Sequence, residues 1–203
     1  MPDPSPLALL GGTFDPPHIG HLVLAECARV QFGASKVLFL PAGEPWRKTD
    51  RTVSPAEDRL AMVNLSVADN SHFFVDDREV LRPGPTYTVD TLESFRDEGY
   101  GDLILILGAD AVADLPNWKQ PERIRDLATI VVARKNRASV EEGMPVVDMP
   151  PIGVSSTEVR ARVAAGQPIR YLVPSAVEAY IYEHGLYQTE TPVSRAREGR
   201  LRA

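Results

Sequence analysis

The segment Gly11-Gly-Thr-Phe-Asp-Pro-Pro-His-Ile-Gly-His21 holds the residue types best suited to chemistry on an anion. It follows the apolar run Leu7-Ala-Leu-Leu10 and opens a helical pattern at Ile19. Gly11 and Gly12 let a phosphate approach the backbone closely, and the N–H groups of the helix start suit negative charge. His18 and His21 lie three residues apart, so on a helical turn they share a face, and Gly20 leaves room beside it. Each imidazole can donate a hydrogen bond to a phosphate oxygen. Taken alone, a Gly-Gly after a strand is a tight turn and a His-x-x-His is half of a zinc site. No matching His, Cys or acidic pair is evident nearby, so no metal ligands are assigned. Cys27, two turns on, reads as a small buried hydrophobe.

These residues need a scaffold. Leu7–Leu10, Val37–Leu40, Leu103–Leu107 and Thr129–Ala133 are continuous apolar runs, as strands read when both faces of a parallel sheet are covered. Phe73–Val75 is a weaker fifth run. Helical patterns fall between them. Ile19 to Phe32 carries Leu22, Ala25 and Val30 on one side. Ser54-Pro-Ala-Glu57 puts Ser at a cap and Pro at the first helical position, opening a helix to Ala68. Thr88 to Glu98 is closed by Gly99. The alternation predicts an α/β fold, a doubly wound parallel sheet with right-handed crossovers. Ligands of such sheets bind outside the carboxyl ends of the strands, where the Gly11–His21 segment lies.

A small helical C-terminal part is predicted over residues 154–187. There the capping box Ser155-Ser-Thr-Glu158 leads a helix stopped by Gly166, and Pro174 to His184 forms a second, stopped by Gly185. Residues 136–151 read as loop with a short strand. Residues 1–187 form a single domain in this reading, and 188–203 a mobile tail with four Arg, two Glu and no aromatic residue.

The 203 residues are 43% hydrophobic and 25% charged, an ordinary globular balance. A net charge of −6 disfavours a nucleic-acid polymer or an anionic membrane as partner. One cysteine, no long apolar run and no signal-peptide pattern point to a reducing, cytoplasmic setting.

Gly-Gly-Thr-Phe-Asp-Pro-Pro-His-x-Gly-His is similar to the signature of the nucleotidylyltransferase superfamily. In length and wording the chain resembles the bacterial nicotinate-nucleotide adenylyltransferases. Gly84-Pro-Thr-Tyr-Thr-Val-Asp-Thr-Leu92 resembles that family's nicotinate-side segment, and Leu107-Gly-Ala-Asp110, with Trp118 after it, its central segment. Val154-Ser-Ser-Thr-Glu-Val-Arg160 resembles its third phosphate motif, and Tyr171-Leu-Val-Pro174 with His184-Gly-Leu-Tyr187 its C-terminal end.

The resemblance implies a Rossmann-like fold and transfer of AMP from ATP to nicotinate mononucleotide, releasing pyrophosphate and forming deamido-NAD. Catalytic roles fall to His18 and His21. ATP binding falls to Gly11, Gly12, Thr13, Phe14, His18, His21, Gly108, Asp110, Arg134, Ser155, Ser156, Thr157 and Arg160. Nicotinate mononucleotide falls to Lys48, Tyr87, Thr88, Asp110 and Trp118. Mg2+ is carried with ATP, and a homo-oligomer is allowed.

Plainer roles stay open for several of these residues. Ser155–Glu158 is also an ordinary capping box, Arg160 also a solvated charge, Asp110 also a helix cap and Trp118 also a partly buried packing residue. Arg134 lies at a strand end and Lys135 beside it faces solvent or nucleotide. Where the family often carries Pro-Pro-His-Lys, this chain has Pro45-Trp46-Arg47-Lys48, so that loop is shaped differently and Arg47 either shares the phosphate contact or is solvated. Alternatives for the whole chain are nicotinamide mononucleotide or phosphopantetheine as acceptor, and a nucleotide-binding sensor without catalysis.

Overall fold

A computed structural model describes residues 5–44, 53–133 and 143–188. Trp46, Arg47, Lys48, Arg134, Lys135 and the tail from residue 189 lie outside the described residues.

Six parallel strands form one sheet: β1 (Leu7–Gly12), β2 (Lys36–Pro41), β3 (Phe73–Val75), β4 (Leu103–Gly108), β5 (Thr129–Ala133) and β6 (Val146–Val147). Their order is β3-β2-β1-β4-β5-β6. The chain winds outward from β1 in one direction and from β4 in the other, so the topological switch falls between these two strands. Leu10 is in register with Phe39 of β2 and Ile106 of β4, which brings the carboxyl ends of all three strands to one edge.

The continuity of the apolar runs has its reason in this topology. Ala8, Leu10, Val37, Phe39, Ile104, Ile106 and Val131 face one layer, with Leu24, Ala25 and Ala28 of α1 (Ile19–Gln31) and Val63 and Val67 of α2 (Ala56–Val67). Leu7, Leu9, Leu38, Leu40, Leu103, Leu105 and Leu107 face the other. There they meet Val89, Leu92 and Phe95 of α4 (Thr88–Asp97) and Ile124 and Leu127 of α6 (Pro121–Leu127). A third cluster joins Met62 of α2 to Val159 and Val163 of α7 (Ser156–Ala164) and Val177 and Ile181 of α8 (Ser175–Glu183), so the C-terminal helices dock on α2.

The strands match expectation closely, and the helices less so. Val30, assigned to the apolar side of α1, is 63% exposed; Leu24 and Ala28 take the buried positions instead. α2 starts one residue later than its cap pattern suggested, with Pro55 at the N-cap and Ser54 giving its carbonyl to Arg59. The short helices α3 (Arg78–Leu81) and α5 (Ala109–Asp114), a 3-10 turn (Leu115–Asn117) and α6 are additions. At seven residues or fewer they are too short for a 3.6-residue periodicity to show.

α3 buries Glu79 against α4, where the Thr91 hydroxyl donates to its carboxylate at 2.8 Å. Burial pushes the Glu79 carboxyl up from 4.5 to about 7. An acid that binds its proton more tightly folded than unfolded stabilises the fold fully below the unfolded value and loses that contribution as pH rises through the folded one. The window therefore runs from 4.5 to about 7, with a size of about 3 kcal/mol at most. Glu79→Gln removes the titration. Urea unfolding at pH 5 and pH 8 should show the variant gaining stability relative to wild type at the higher pH; a pH-independent difference contradicts the assignment.

Candidate active site

β1 ends on Gly11 and Gly12, and the chain then turns through Phe14 at φ +50 before α1 begins. That positive φ turns the Phe14 ring into the core, where it is 2% exposed and packs on Phe39. Gly12 makes room for it, since a Cβ there would meet the ring at 3.1 Å. The Phe14 ring supports His21 from below, edge to face at 5.0 Å, so only the backbone of Phe14 is open to the expected contact with ATP. Gly11 has open space where a Cβ would stand, as a close approach of backbone to ligand requires.

His18 is the N-cap of α1 and His21 its third residue, and the rings stack with centroids 3.7 Å apart. The His18 backbone N–H donates to Nδ1 of His21 at 3.1 Å. Nδ1 is thereby an acceptor, so the neutral ring carries its proton on Nε2 and offers it as a donor. Gly20 leaves room for the His18 ring and for Val154, both within 3.3 Å of a built Cβ, and also lines the cavity that both histidines face.

Both histidines open onto a cavity of about 810 Å³ at the switch point. Gly108 and Asp110, at the end of β4 and the start of α5, form one side of it, and the whole segment 146–155 forms the far wall. Among the sequence-predicted ATP residues, the cavity therefore gathers His18, His21, Gly108, Asp110 and Ser155. Ser155 caps α7 and its hydroxyl accepts from the Glu158 N–H at 3.2 Å, so the capping role is real.

Ser156, Thr157 and Arg160 do not line this cavity. They pin α7 to the histidine loop. The Ser156 hydroxyl donates to the Pro16 carbonyl at 2.8 Å, Arg160 to the Asp15 carbonyl at 2.7 Å and also to the Thr157 hydroxyl. Tyr187 adds a further link, its hydroxyl donating to the Asp15 carboxylate at 2.8 Å. Asp15 is 1% exposed, and burial raises the Tyr187 phenol well above its ordinary range. Tyr187→Phe removes a donor to a buried carboxylate, and the expected cost is about 2 kcal/mol in urea unfolding. An unchanged midpoint contradicts it.

Sequence reading missed Arg59, the largest fully buried side chain. Its guanidinium donates to the carbonyls of Thr13 at 2.9 Å, Ala42 at 2.6 Å, Gly43 at 2.8 Å and Ser54 at 3.0 Å. One side chain on α2 thus ties the loop after β1 to the loop after β2.

The nicotinate-side residues form a separate group. Tyr87 is the N-cap of α4 and Thr88 its first residue, so the N–H groups of the first turn point out of the helix end. The Thr86 N–H donates to the Glu44 carbonyl, which places this end beside the loop that continues β2. Trp118 donates through its indole N–H to Asp114 at 3.3 Å and packs on the same cluster as Tyr87. Lys119 lies 4.6 Å over the Tyr87 ring and bonds Asp90 at 2.9 Å, joining the two segments.

Residues 9–162 match the cytidylyltransferase-like family model. The chain is 46% identical over 196 residues to a Roseiflexus protein named "probable nicotinate-nucleotide adenylyltransferase", covering 91% of this chain and 98% of that one. The chain belongs to the nicotinate-nucleotide adenylyltransferase family. A Streptomyces coelicolor relative of the same name is 43% identical, with 89% of this chain and 100% of that one covered. The structure of Plasmodium falciparum nicotinic acid mononucleotide adenylyltransferase complexed with NaAD superimposes with a TM-score of 0.75 at 18% identity. It covers 90% of this chain and 97% of that chain, and shares the fold.

The wall at 146–155 is the part of this family member least visible in its sequence. Its strand is two residues long, and Pro150-Pro151 interrupts any periodicity.

Proposed function

We propose that this chain transfers AMP from ATP to nicotinate mononucleotide, releasing pyrophosphate and forming deamido-NAD. The observation that carries the reading is the stacked His18–His21 pair at the mouth of the switch-point cavity, with Nδ1 of His21 engaged by the backbone and its proton therefore on Nε2. A donor set in such a place suits charge that grows on phosphate oxygens during transfer.

The acceptor's 5′-phosphate oxygen attacks the α-phosphorus of ATP in line, and the bond from that phosphorus to the β-bridging oxygen breaks. The nucleophile is ionised at neutral pH, so no general base and no covalent enzyme intermediate are needed. Catalysis is then positioning and charge stabilisation. His21 serves the α-phosphate and His18 the neighbouring oxygens, while Asp110 at the cavity side takes a ribose hydroxyl. The half-buried first turn of α4 at Tyr87 and Thr88 holds the nicotinate carboxylate, and Trp118 stacks on the pyridine ring. Lys48 is assigned to the mononucleotide phosphate and Arg134 to ATP.

Among the described residues no group of three or more His, Cys, Asp or Glu is placed to hold a metal ion. Mg2+ carried on the triphosphate, held by substrate oxygens and water, would neutralise the departing pyrophosphate. Residues 1–187 are taken as one catalytic domain.

Incubation with ATP, Mg2+ and nicotinate mononucleotide should yield deamido-NAD and pyrophosphate in equal amounts and stop on chelation. With ATP chiral at the α-phosphorus as a thiophosphate, a single displacement inverts configuration. Retention contradicts direct attack, and ATP binding without pyrophosphate marks a sensor.

A further inference from the structure

The first helix ends on Gln31, and the side chain of that residue stands in for a strand. β6 is the edge of the sheet, and its inner side belongs to β5: the Val132 N–H donates to the Pro145 carbonyl at 2.9 Å. Backbone groups alternate sides along a strand, so the Val146 carbonyl and the Asp148 N–H face outward, where a seventh strand would add. The Gln31 amide stands there instead. Its Nε2 donates to the Val146 carbonyl at 2.8 Å, and its Oε1 accepts from the Asp148 N–H at 2.7 Å. One donor and one acceptor matched to residues two apart is what the N–H and C=O of a single residue in a parallel neighbour would offer.

The edge held in this way is the start of the cavity's far wall, since Val146, Val147 and Asp148 all line it. A two-residue strand bonded from one side has little to resist fraying. The wall's other end is already fixed by the Ser155 cap and by Val154 against Gly20. His21 and Gln31 lie near the two ends of the same helix, roughly 15 Å apart along its axis. α1 is therefore a ruler between the phosphate donors and the wall.

We propose that Gln31 is a positioning residue for the ATP subsite, its amide clamping β6 so that the wall keeps its distance from His18 and His21. This rests on the reading of the cavity as the place of ATP. The clamp touches only the wall segment, while Tyr87, Thr88 and Trp118, assigned to the acceptor alone, lie on α4 and just after the 3-10 turn and do not line the cavity, so the effect falls mainly on one substrate.

Gln31→Leu keeps the stem and removes both bonds. Its KM for ATP should rise about three- to tenfold, with kcat and the KM for nicotinate mononucleotide changed less than about twofold. Amide exchange at Asp148 should accelerate while that of Leu9 and Leu105 in the central strands stays slow. Gln31→Glu keeps the acceptor for Asp148 and places a second oxygen against the Val146 carbonyl. Protonation restores a donor, so its ATP-binding deficit relative to wild type should shrink as pH falls from 8 to about 4, through the ordinary Glu range near 4.3, whereas the Leu deficit should not. Faster exchange at Asp148 with an unchanged KM for ATP, or an equal rise in both KM values, overturns the proposal. Wild-type protein that does not bind ATP overturns the reading of the cavity, and the subsite assignment with it. Wild-type binding with unaltered variants overturns the role of Gln31 alone.

Discussion

His21→Ala is expected to lower kcat by about 10²–10³, the loss of a donor worth roughly 2.7–4 kcal/mol in the transition state. The size follows from preorganisation. Nδ1 is engaged by the His18 N–H at 3.1 Å and the ring is held from below by Phe14, so the Nε2 proton is aimed before substrate arrives. The residue is half-buried and its removal opens no core cavity, so stability should change little. KM for ATP should rise less than kcat falls, because charge on the phosphate oxygens grows mainly in the transition state. His21→Gln, which can present an amide N–H, should recover part of the loss. Steady-state kinetics on folded variants decide the matter, and an unchanged kcat in His21→Ala removes this residue from the mechanism.

Arg59→Met should destabilise the fold by about 3–5 kcal/mol, as expected when a buried charged group is taken from its partners. Four carbonyls, of Thr13, Ala42, Gly43 and Ser54, lose a charge-assisted donor together. Arg59→Lys should recover less than half of that, since a single ammonium cannot span groups met by a planar fork. Function should suffer as well. Thr13 belongs to the histidine loop, and Ala42 and Gly43 open the loop that leads to Lys48. Gly43 packs closely on α3, with no room for a Cβ beside the Glu79 carbonyl oxygen. Urea midpoints of the two variants test this, and a Met variant within about 1 kcal/mol of wild type contradicts it.

What could be read in advance follows physical lines. The five longer strands were legible because both faces of the sheet are covered, which leaves no polar face to break the apolar runs. Helices with capping signals were legible too, as Ser155 with its bond to Glu158 illustrates. His18 and His21 came together as their spacing required. The inward turn of the Phe14 ring was not legible, because a motif shows which residues sit in a loop and not which way a residue at φ +50 points. Arg59 gave no signal in the sequence because its partners include carbonyls 17 and 46 residues away, a pattern no local window contains. At the wall, a short strand within 136–151 and the Ser155 cap were legible, but the clamp on that strand was not, since Gln31 lies 115 residues upstream.

The acidic balance of the chain also takes on a different meaning. A net charge of −6 argues against polynucleotides, yet the proposed substrates are strongly anionic. Local donors resolve this: the His21 ring and the helix starts at Ile19 and Thr88 act over a few ångströms, well inside a Debye length of about 8 Å.

The preference between the acid and amide mononucleotides tests the central claim most directly. A half-buried helix start at Tyr87–Thr88, with its first N–H groups unused within the helix, favours a carboxylate over a neutral amide, so kcat/KM for pyrophosphate release should be higher with nicotinate mononucleotide by about tenfold or more, about 1.4 kcal/mol. Equal values, or a preference for nicotinamide mononucleotide, contradict the account.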